Sequence, residues 1–235
     1  MPPRLIRIVI LLALALTARV VARAADNELT DGEKQDGWIL LFDGKTPDGW
    51  VHDKTGQPIP AAAIEDGAIN PKKVGKAYVP YYAKQKFENF TLSLNFKVTK
   101  GCNSGVFIRV ADPKNPVQSG FEIQVMDSHG KEKLGKHEMG AVYDAQAAAK
   151  NASKPAGEWQ HLEITAKGNT FTVRLNGELV NEADLNQWTE AGKNPDGSKN
   201  KFKTPLKDMA KSGYIGMQDH GQDAWYKNIK VREIK

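Results

Sequence analysis

The feature that most constrains the fold is a series of short runs in which apolar and polar side chains alternate, each bounded by Gly, Asn, Asp or Pro. Such alternation is typical of β-strands with one buried face, and no long segment has helical periodicity. The clearest predicted strands span residues 91–98, 105–110, 120–126, 161–166, 170–175, 214–217 and 224–231. Weaker candidates span residues 38–42, 62–69 and 77–82. The chain is therefore predicted to be all-β.

The number of predicted strands indicates how they are arranged. Strands this numerous favour two packed sheets, because large open sheets curl or split. An Asn176-Gly177 pair predicts a tight hairpin and hence antiparallel pairing. We therefore predict one domain over residues 37–235, folded as a two-sheet antiparallel sandwich of the jelly-roll type. Residues 144–156 are expected to form a short helix or a loop. Residues 186–207 are expected to form a long exposed connection, which at that length is either functional or disordered.

The N-terminal residues have the composition of an export signal. Arg4 and Arg7 precede an apolar run over residues 8–17, and Ala22-Arg23-Ala24 matches the pattern that signal peptidases cleave. We expect residues 1–24 to be a signal peptide and residues 25–36 to be a linker, so that the mature protein is secreted or periplasmic. A spanning helix needs about 20 apolar residues, and arginines interrupt this stretch, so no membrane association is expected.

Charge and cysteine content exclude several classes of function. The chain has 33 basic and 28 acidic residues, but four arginines lie in the expected signal peptide, so cleavage lowers the net charge from +5 to +1. Such a balance favours neither nucleic acid nor an anionic membrane as a partner. The single cysteine, Cys102, excludes an intrachain disulfide and is interpreted as a small buried apolar residue.

Two predicted strands carry unusual polar side chains on one face. Because side chains alternate across a strand, the aliphatic positions of residues 103–109 and 121–125 assign one face of each strand to the core. The residues predicted to face the core are Val106, Ile108, Ile123 and Val125. The residues predicted to share the opposite face are Asn103, Phe107, Arg109, Glu122 and Gln124.

This outward set has two interpretations. Planar polar groups around an aromatic ring are what a sugar site uses, because the polar groups bind hydroxyls and the ring stacks on the sugar. If the sheet curves, these side chains would share one concavity. Alternatively, the set is an ordinary solvent-facing surface in which Arg109 and Glu122 form a cross-strand ion pair.

Further candidates lie at the ends of predicted strands, where loops build sites. Asp127 and Tyr143 each end a strand, and His220 lies in the polar turn Gln218-Asp219-His220-Gly221. A histidine in such a turn suits proton transfer, although it would also suit a turn-stabilising pair with Asp219. The sequence contains no zinc motif, phosphate loop or serine-nucleophile motif.

Seven motifs in order resemble one known family. They are LFDG at 41–44 with GW at 49–50, NSGVFIR at 103–109, FEIQVMD at 121–127, GAVY at 140–143, GEW at 157–159, LNG at 175–177 and IGMQDHG at 215–221. Together they resemble the 3-keto-disaccharide hydrolase domain family, which has the concanavalin A-like lectin/glucanase fold. The resemblance runs from about residue 37 to the C-terminus.

The resemblance implies a carbohydrate substrate oxidised to a ketone at carbon 3, which makes the hydrogen at carbon 2 acidic. A base can then remove that proton, the glycosidic oxygen leaves by elimination, and water can add afterwards. Such chemistry needs a base and a group that stabilises the enolate. The candidate catalytic residues are Glu122 or His220 as base and Arg109 as enolate clamp. The candidate substrate-binding residues are Asn103, Phe107, Gln124, Asp127, Tyr143 and Gln218. A divalent metal ion could replace or assist Arg109, and no other cofactor is expected.

Three alternatives use the same residues differently. A retaining glucanase needs two carboxylates about 5–5.5 Å apart, whereas the same-face neighbour of Glu122 is the amide Gln124. A non-catalytic sugar-binding module would need the polar side chains and the ring but no titrating group. A secreted structural or interaction domain would need no polar site on this face.

Overall fold

The computed structural model describes residues 25–235, which form thirteen β-strands and two short helices. The strands are β1 (Trp38–Leu40), β2 (Trp50–Val51), β3 (Ile64–Glu65), β4 (Ala68–Ile69), β5 (Tyr81–Phe87), β6 (Phe90–Val98), β7 (Asn103–Val110), β8 (Phe121–Met126), β9 (Gln160–Lys167), β10 (Thr170–Leu175), β11 (Glu178–Asp184), β12 (Gly213–Met217) and β13 (Ala224–Glu233). The helices are α1 (Asp31–Gln35) and α2 (Pro116–Ser119). No helix in this part of the chain is long and apolar enough to cross a membrane.

The strands form two antiparallel sheets. The eight-stranded sheet has the order β11-β10-β9-β6-β13-β4-β3, with β1 also paired to β13. The five-stranded sheet has the order β2-β5-β12-β7-β8. The predicted all-β, two-sheet antiparallel sandwich is therefore confirmed.

The core lies between the sheets and is formed by the inward side chains of the long strands. Val106, Ile108, Ile123 and Val125 are all fully buried, as the alternation predicts. They pack in one cluster with the inward residues of the other sheet, which include Leu92, Leu94, Phe96, Leu162, Ile164, Phe171 and Val173. Burying each such side chain contributes roughly 1.5–3 kcal/mol, so this layer holds the two sheets together.

The Asn176-Gly177 pair forms the predicted hairpin between β10 and β11. Asn176 has a φ of 53° and Gly177 a φ of 87°, which are the left-handed conformations that a two-residue primed turn requires. The other predicted strands lie within a few residues of their expected positions, apart from two. Residues 62–69 form a 3₁₀ turn and two short strands, and the strand expected at 77–82 lies at Tyr81–Phe87.

Residues 25–36, which the sequence analysis treats as a linker, make contacts with the sandwich. Thr30 and Glu33 cap helix α1 reciprocally, each side chain accepting from the other's backbone N–H. Asn27 is buried, donates from Nδ2 to the carbonyl of Gly67 and accepts from the backbone N–H of Asn228. These contacts fix the segment to the eight-stranded sheet. The expected signal peptide, residues 1–24, lies outside the described residues.

A β-bulge in β7 overturns the predicted position of Arg109. Tyr214 of β12 is paired with Val110, and Gly216 is paired with Phe107, so the single residue between them on β12 faces two residues of β7. Arg109 is the extra residue of the bulge and has a φ of 51°. Simple alternation therefore fails here, and the expectation that Arg109 shares a face with Glu122 was wrong.

Candidate active site

The site is built on the outward face of the five-stranded sheet, around Glu122. Glu122 and Gln124 lie on β8 between inward residues, so both point away from the core, yet only 4% and 1% of their surfaces are exposed. Gly105 of the neighbouring strand makes room for the carboxyl, because a Cβ there would lie 2.5 Å from Glu122 Oε1. The carboxylate therefore lies across β7 towards β12.

Two amide side chains flank this carboxyl and are oriented by hydrogen bonds. Gln218 follows β12 and donates from Nε2 to the hydroxyl of Tyr78 at 2.9 Å. Gln124 donates from Nε2 to Asn103 Oδ1, also at 2.9 Å. Each NH₂ group is thus held by the protein, whereas neither amide oxygen has a partner among the described residues.

Three buried oxygens in this cluster have no hydrogen-bond partner: Oε1 of Glu122, Oε1 of Gln124 and Oε1 of Gln218. Among the described residues, the only other buried polar side-chain atom of this kind is Ser153 Oγ. Buried polar atoms are almost always paired, because leaving one unpaired costs about 1–3 kcal/mol. A concentration of three acceptors predicts a ligand that supplies donors, such as hydroxyl groups.

Burial raises the pKa of the Glu122 carboxyl from its ordinary value of 4.5 to about 7, because the charged form loses hydration. The positive charge of Lys201 and the Gln218 amide oppose this increase. A carboxyl with a pKa near 7 is half-ionised at neutral pH, which suits proton removal from carbon.

Lys201 supplies the positive charge beside Glu122. Its Nζ lies 3.9 Å from Glu122 Oε2 and 3.8 Å from the centre of the Tyr143 ring. Its backbone N–H donates to Asp144 Oδ2 at 2.7 Å. Burial lowers the pKa of Lys201, against the opposing charges of Glu122 and Asp144. Sequence reasoning missed Lys201, and its only signal was the unusual length of the 186–207 connection.

The 186–207 connection is folded rather than loose. Trp188 and Phe202 are buried, and so is Asn194, which accepts from Trp188 Nε1 at 2.8 Å and donates to the carbonyl of Asp144 at 3.2 Å. These bonds tie the connection to the residue that follows Tyr143. The ammonium of Lys201 is thus held over the sheet by a hydrogen-bonded loop. Residues 144–156 form a loop rather than a helix.

Two tyrosines complete the site. Tyr143 donates its backbone N–H to the carbonyl of Glu122 at 2.9 Å, so its segment extends the sheet beyond β8. Tyr78, which the sequence did not single out, lies beyond Gln218 on the opposite side. Asp53 Oδ2 accepts from the backbone N–H of Tyr78 at 3.0 Å and holds it in place. Burial, and then the charge of Glu122, raise the pKa of both phenols, so both remain proton donors at neutral pH.

Comparison with known proteins agrees with this architecture. A model of the family described as 3-keto-alpha-glucoside-1,2-lyase-like domain matches residues 37–232. The chain belongs to this family. A relative from Bacteroides thetaiotaomicron, named 3-keto-disaccharide hydrolase, is 32% identical over 229 residues, which cover 85% of this chain and 79% of the relative. The family resemblance seen in the sequence motifs is therefore confirmed.

Solved structures have the same fold. A protein from Parabacteroides distasonis described as a candidate glycosyl hydrolase is 32% identical, with a TM-score of 0.69 over 84% of this chain and 99% of that chain. A second protein from the same organism with the same description has a TM-score of 0.72 at 24% identity, over 90% of this chain and 100% of that chain. This second likeness concerns the fold alone.

Within this family fold, Arg109 belongs to the framework and not to the site. Its guanidinium donates to the carbonyls of Glu88 at 2.6 and 2.8 Å and of Gly168 at 2.7 Å, and it lies over the ring of Phe171 in the core. The side chain is fully buried. Arg109 therefore links β7 to the turns between β5 and β6 and between β9 and β10, and the cation beside Glu122 is Lys201 instead.

Three other candidates are placed differently from the site residues. Phe107 does face outward but is 1% exposed, since it packs under Tyr78 and Val79, so its ring is not free to stack on a sugar. Asp127 accepts from the backbone N–H of Gly101 at 2.9 Å and stabilises the turn before β7. His220 is exposed and forms no hydrogen bond or ion pair within the part of the chain that the structure describes.

The side chains around Glu122 do not resemble a metal centre. No group of three or more His, Cys, Asp or Glu side chains suited to a metal ion occurs within residues 25–235. Glu122 contributes a single carboxylate, and the ammonium of Lys201 lies 3.9 Å from it, where it would repel a divalent cation. The residues around Glu122 therefore do not fit a divalent metal ion.

Proposed function

We propose that this protein is a carbohydrate-cleaving enzyme that acts on glycosides bearing a ketone at carbon 3, by removing the carbon 2 proton and eliminating the aglycone. The observation that carries the proposal is the buried Glu122 carboxyl, whose pKa is raised to about 7 and whose Oε1 has no partner. The family and the 32% identical relative named 3-keto-disaccharide hydrolase supply the substrate class.

In the proposed reaction Glu122 takes the proton from carbon 2, and the electron pair of that C–H bond forms an enolate with the carbon 3 carbonyl. Lys201, 3.9 Å from the carboxylate, stabilises the negative charge on the enolate oxygen. The carbon 3 carbonyl then re-forms, the electron pair between carbons 2 and 3 makes the double bond between carbons 1 and 2, and the bond from carbon 1 to the glycosidic oxygen breaks. That oxygen leaves with the proton held by Glu122, which restores the carboxylate.

The product of elimination is an unsaturated ketone and a free aglycone. Addition of water across the new double bond gives net hydrolysis of the glycoside. The free oxygens of Gln124 and Gln218 accept hydrogen bonds from the remaining sugar hydroxyls and so position carbon 2 beside Glu122. Neither step requires a second carboxylate, which distinguishes this chemistry from that of ordinary retaining glycosidases.

The test is release of an aglycone from a 3-keto-glycoside and from the same glycoside with carbon 3 reduced. We expect release only from the ketone, because only the ketone acidifies the carbon 2 hydrogen. Glu122→Gln should lower the rate by about 10²–10⁴-fold, since it removes the base while keeping the shape. Equal rates on the ketone and the reduced sugar would rule out elimination.

A non-catalytic sugar-binding module is the second candidate. It is favoured by the two amide oxygens of Gln124 and Gln218, which bind hydroxyls without any chemistry. In that case the wild-type protein would bind the sugar and release no aglycone, and Glu122→Gln would change only the affinity.

We also propose that the enzyme is exported. The motif Ala22-Arg23-Ala24 after an apolar run is the basis for this assignment. Intact-mass analysis of protein from its native host should give an N-terminus at Ala25, and a mass that includes Met1 would contradict export.

A further inference from the structure

The outward face of the eight-stranded sheet carries an unusual share of the tryptophans. Trp38, Trp159 and Trp225 are all partly exposed on this side, whereas Trp50 and Trp188 are buried in the core. Indole is the largest side chain, and its exposure to water is unfavourable. Exposed indole rings gathered on one face therefore indicate a surface that binds a ligand or partner. The face lies across the core from Glu122, so the active site does not account for these rings.

Two of these rings form the walls of one groove. Trp225 of β13 alternates with the buried residues Ala224 and Tyr226, and it is paired across the sheet with Lys97 of β6. Trp159 immediately precedes β9, on the other side of Lys97. The ammonium of Lys97 lies 4.7 Å from the ring of Trp225 and 5.1 Å from that of Trp159. The groove has a volume of about 480 Å³ and is also lined by Ile64, Glu65 and Asp66.

The Trp225 ring is held in a fixed orientation. Its Nε1 donates to Glu65 Oε2 at 2.8 Å, and the same carboxylate oxygen accepts from Asn70 Nδ2 at 2.9 Å. Asn70 is itself completely buried. A ring fixed in this way loses little conformational freedom when a ligand stacks on it, which favours binding.

Lys97 differs from the other lysines of this face. Lys227 lies 4.2 Å from the ring of Trp159 and pairs with Asp26, and Lys230 pairs with Glu33. Within the described residues, the ammonium of Lys97 forms no ion pair and no hydrogen bond, and it contacts the two indole rings. Its N–H donors are therefore available to a ligand in the groove, next to the carboxylates of Glu65 and Asp66.

We propose that this groove is a second carbohydrate-binding site, separate from the active site. Indole rings bind the C–H faces of a sugar ring, an ammonium donates to its hydroxyl oxygens, and carboxylates accept from its hydroxyl protons. The volume is within the range of about 300–1,000 Å³ that small-ligand sites occupy. Such a site would hold the protein on a polysaccharide while the opposite face acts on a smaller glycoside.

The experiment measures retention of the full chain on insoluble cellulose, starch, xylan and chitin. We expect the wild-type protein to be retained on at least one of the four. Trp159→Ala and Trp225→Ala should each weaken retention at least tenfold, and Lys97→Met should weaken it several-fold, because it keeps the apolar stem and removes the donors. Trp159 lies outside any strand, so its variant tests the site even if Trp225→Ala lowers the stability of the sheet.

Two variants serve as matched controls. Trp38→Ala removes a partly exposed indole from the same face but outside the groove, where it lies near Lys230 and Arg232. Glu122→Gln alters only the active site. Both should be retained like the wild-type protein. Failure of the wild type to bind any of the four polysaccharides, equal binding by the Trp159 and Trp225 variants, or loss of binding in Glu122→Gln would each overturn the proposal. None of these outcomes depends on the proposed reaction.

Discussion

Replacing Glu122 by glutamine should stabilise the protein above neutral pH. The folded protein favours the protonated carboxyl, since burial raises the pKa of Glu122 from 4.5 to about 7. The folded state therefore binds a proton more tightly than the unfolded state does, and this contribution to stability is complete below about pH 4.5 and lost as the pH rises through 7. A pKa difference of about 2.5, at 1.36 kcal/mol for each unit, corresponds to about 3 kcal/mol. Glutamine, which does not ionise, avoids that loss.

The assay is urea unfolding of the wild type and of Glu122→Gln at about pH 4 and about pH 8. At the lower pH, the free energies of unfolding of the two proteins should differ only by an offset that does not depend on pH. At the higher pH, that difference should shift by about 3 kcal/mol in favour of the variant. Glu182→Gln is the control, since Glu182 is an exposed residue on β11, and its effect should stay within about 0.5 kcal/mol at both pH values. A difference between wild type and Glu122→Gln that does not change with pH would refute this reasoning.

Three further outcomes follow from the geometry. Lys201→Met should raise the pKa of Glu122, because the interaction of two charges 3.9 Å apart is worth about 1 to 4 kcal/mol. The acid limb of the pH profile of kcat/KM should therefore move up by about 1 to 3 pH units, whereas Lys203→Met should leave it in place. An unchanged acid limb in Lys201→Met would show that Lys201 is not coupled to the base. Gly105→Ala should lower kcat at least tenfold, because its Cβ would lie 2.5 Å from Glu122 Oε1, whereas Gly32→Ala has free space and should keep full activity. Arg109→Lys should lower the free energy of unfolding by about 2–4 kcal/mol, because lysine cannot replace the hydrogen bonds to the carbonyls of Glu88 and Gly168. A variant with normal stability but no turnover would show instead that Arg109 acts in catalysis.

The sequence predicted those parts of the fold that depend on local pattern. Alternation located the long strands and identified Val106, Ile108, Ile123 and Val125 as core residues, because a residue's face depends on its parity within a regular strand. The hairpin at Asn176 was equally predictable, since the turn requires left-handed conformations that Asn-Gly adopts at little cost.

The position of Arg109 was not predictable in this way. The bulge arises from how β7 pairs with β12, which is far away in the sequence, and arginine has no particular preference for the left-handed conformation. Parity counted along β7 alone was therefore correct up to Ile108 and wrong immediately after it.

The site was predictable only where it belongs to the sheet. Glu122 and Gln124 share a face because they are two residues apart on one strand. Lys201 comes from a connection that lies three strands later in the sequence, and Tyr78 comes from the segment before β5. Their positions depend on tertiary hydrogen bonds made by Asn194 and Asp53, and no local pattern encodes those bonds.

The bulge at Arg109 divides β7 into two segments that a protein engineer can treat separately. Before it, Asn103 and Gly105 face the carboxyl of Glu122 and the amide of Gln124. After it, Val110 faces outward and packs with Phe107 and Val79. Substitutions at the first end should alter ligand preference, and substitutions at the second should alter folding yield. Deleting one residue at the bulge would merge the two registers and exchange the inward and outward sets beyond it.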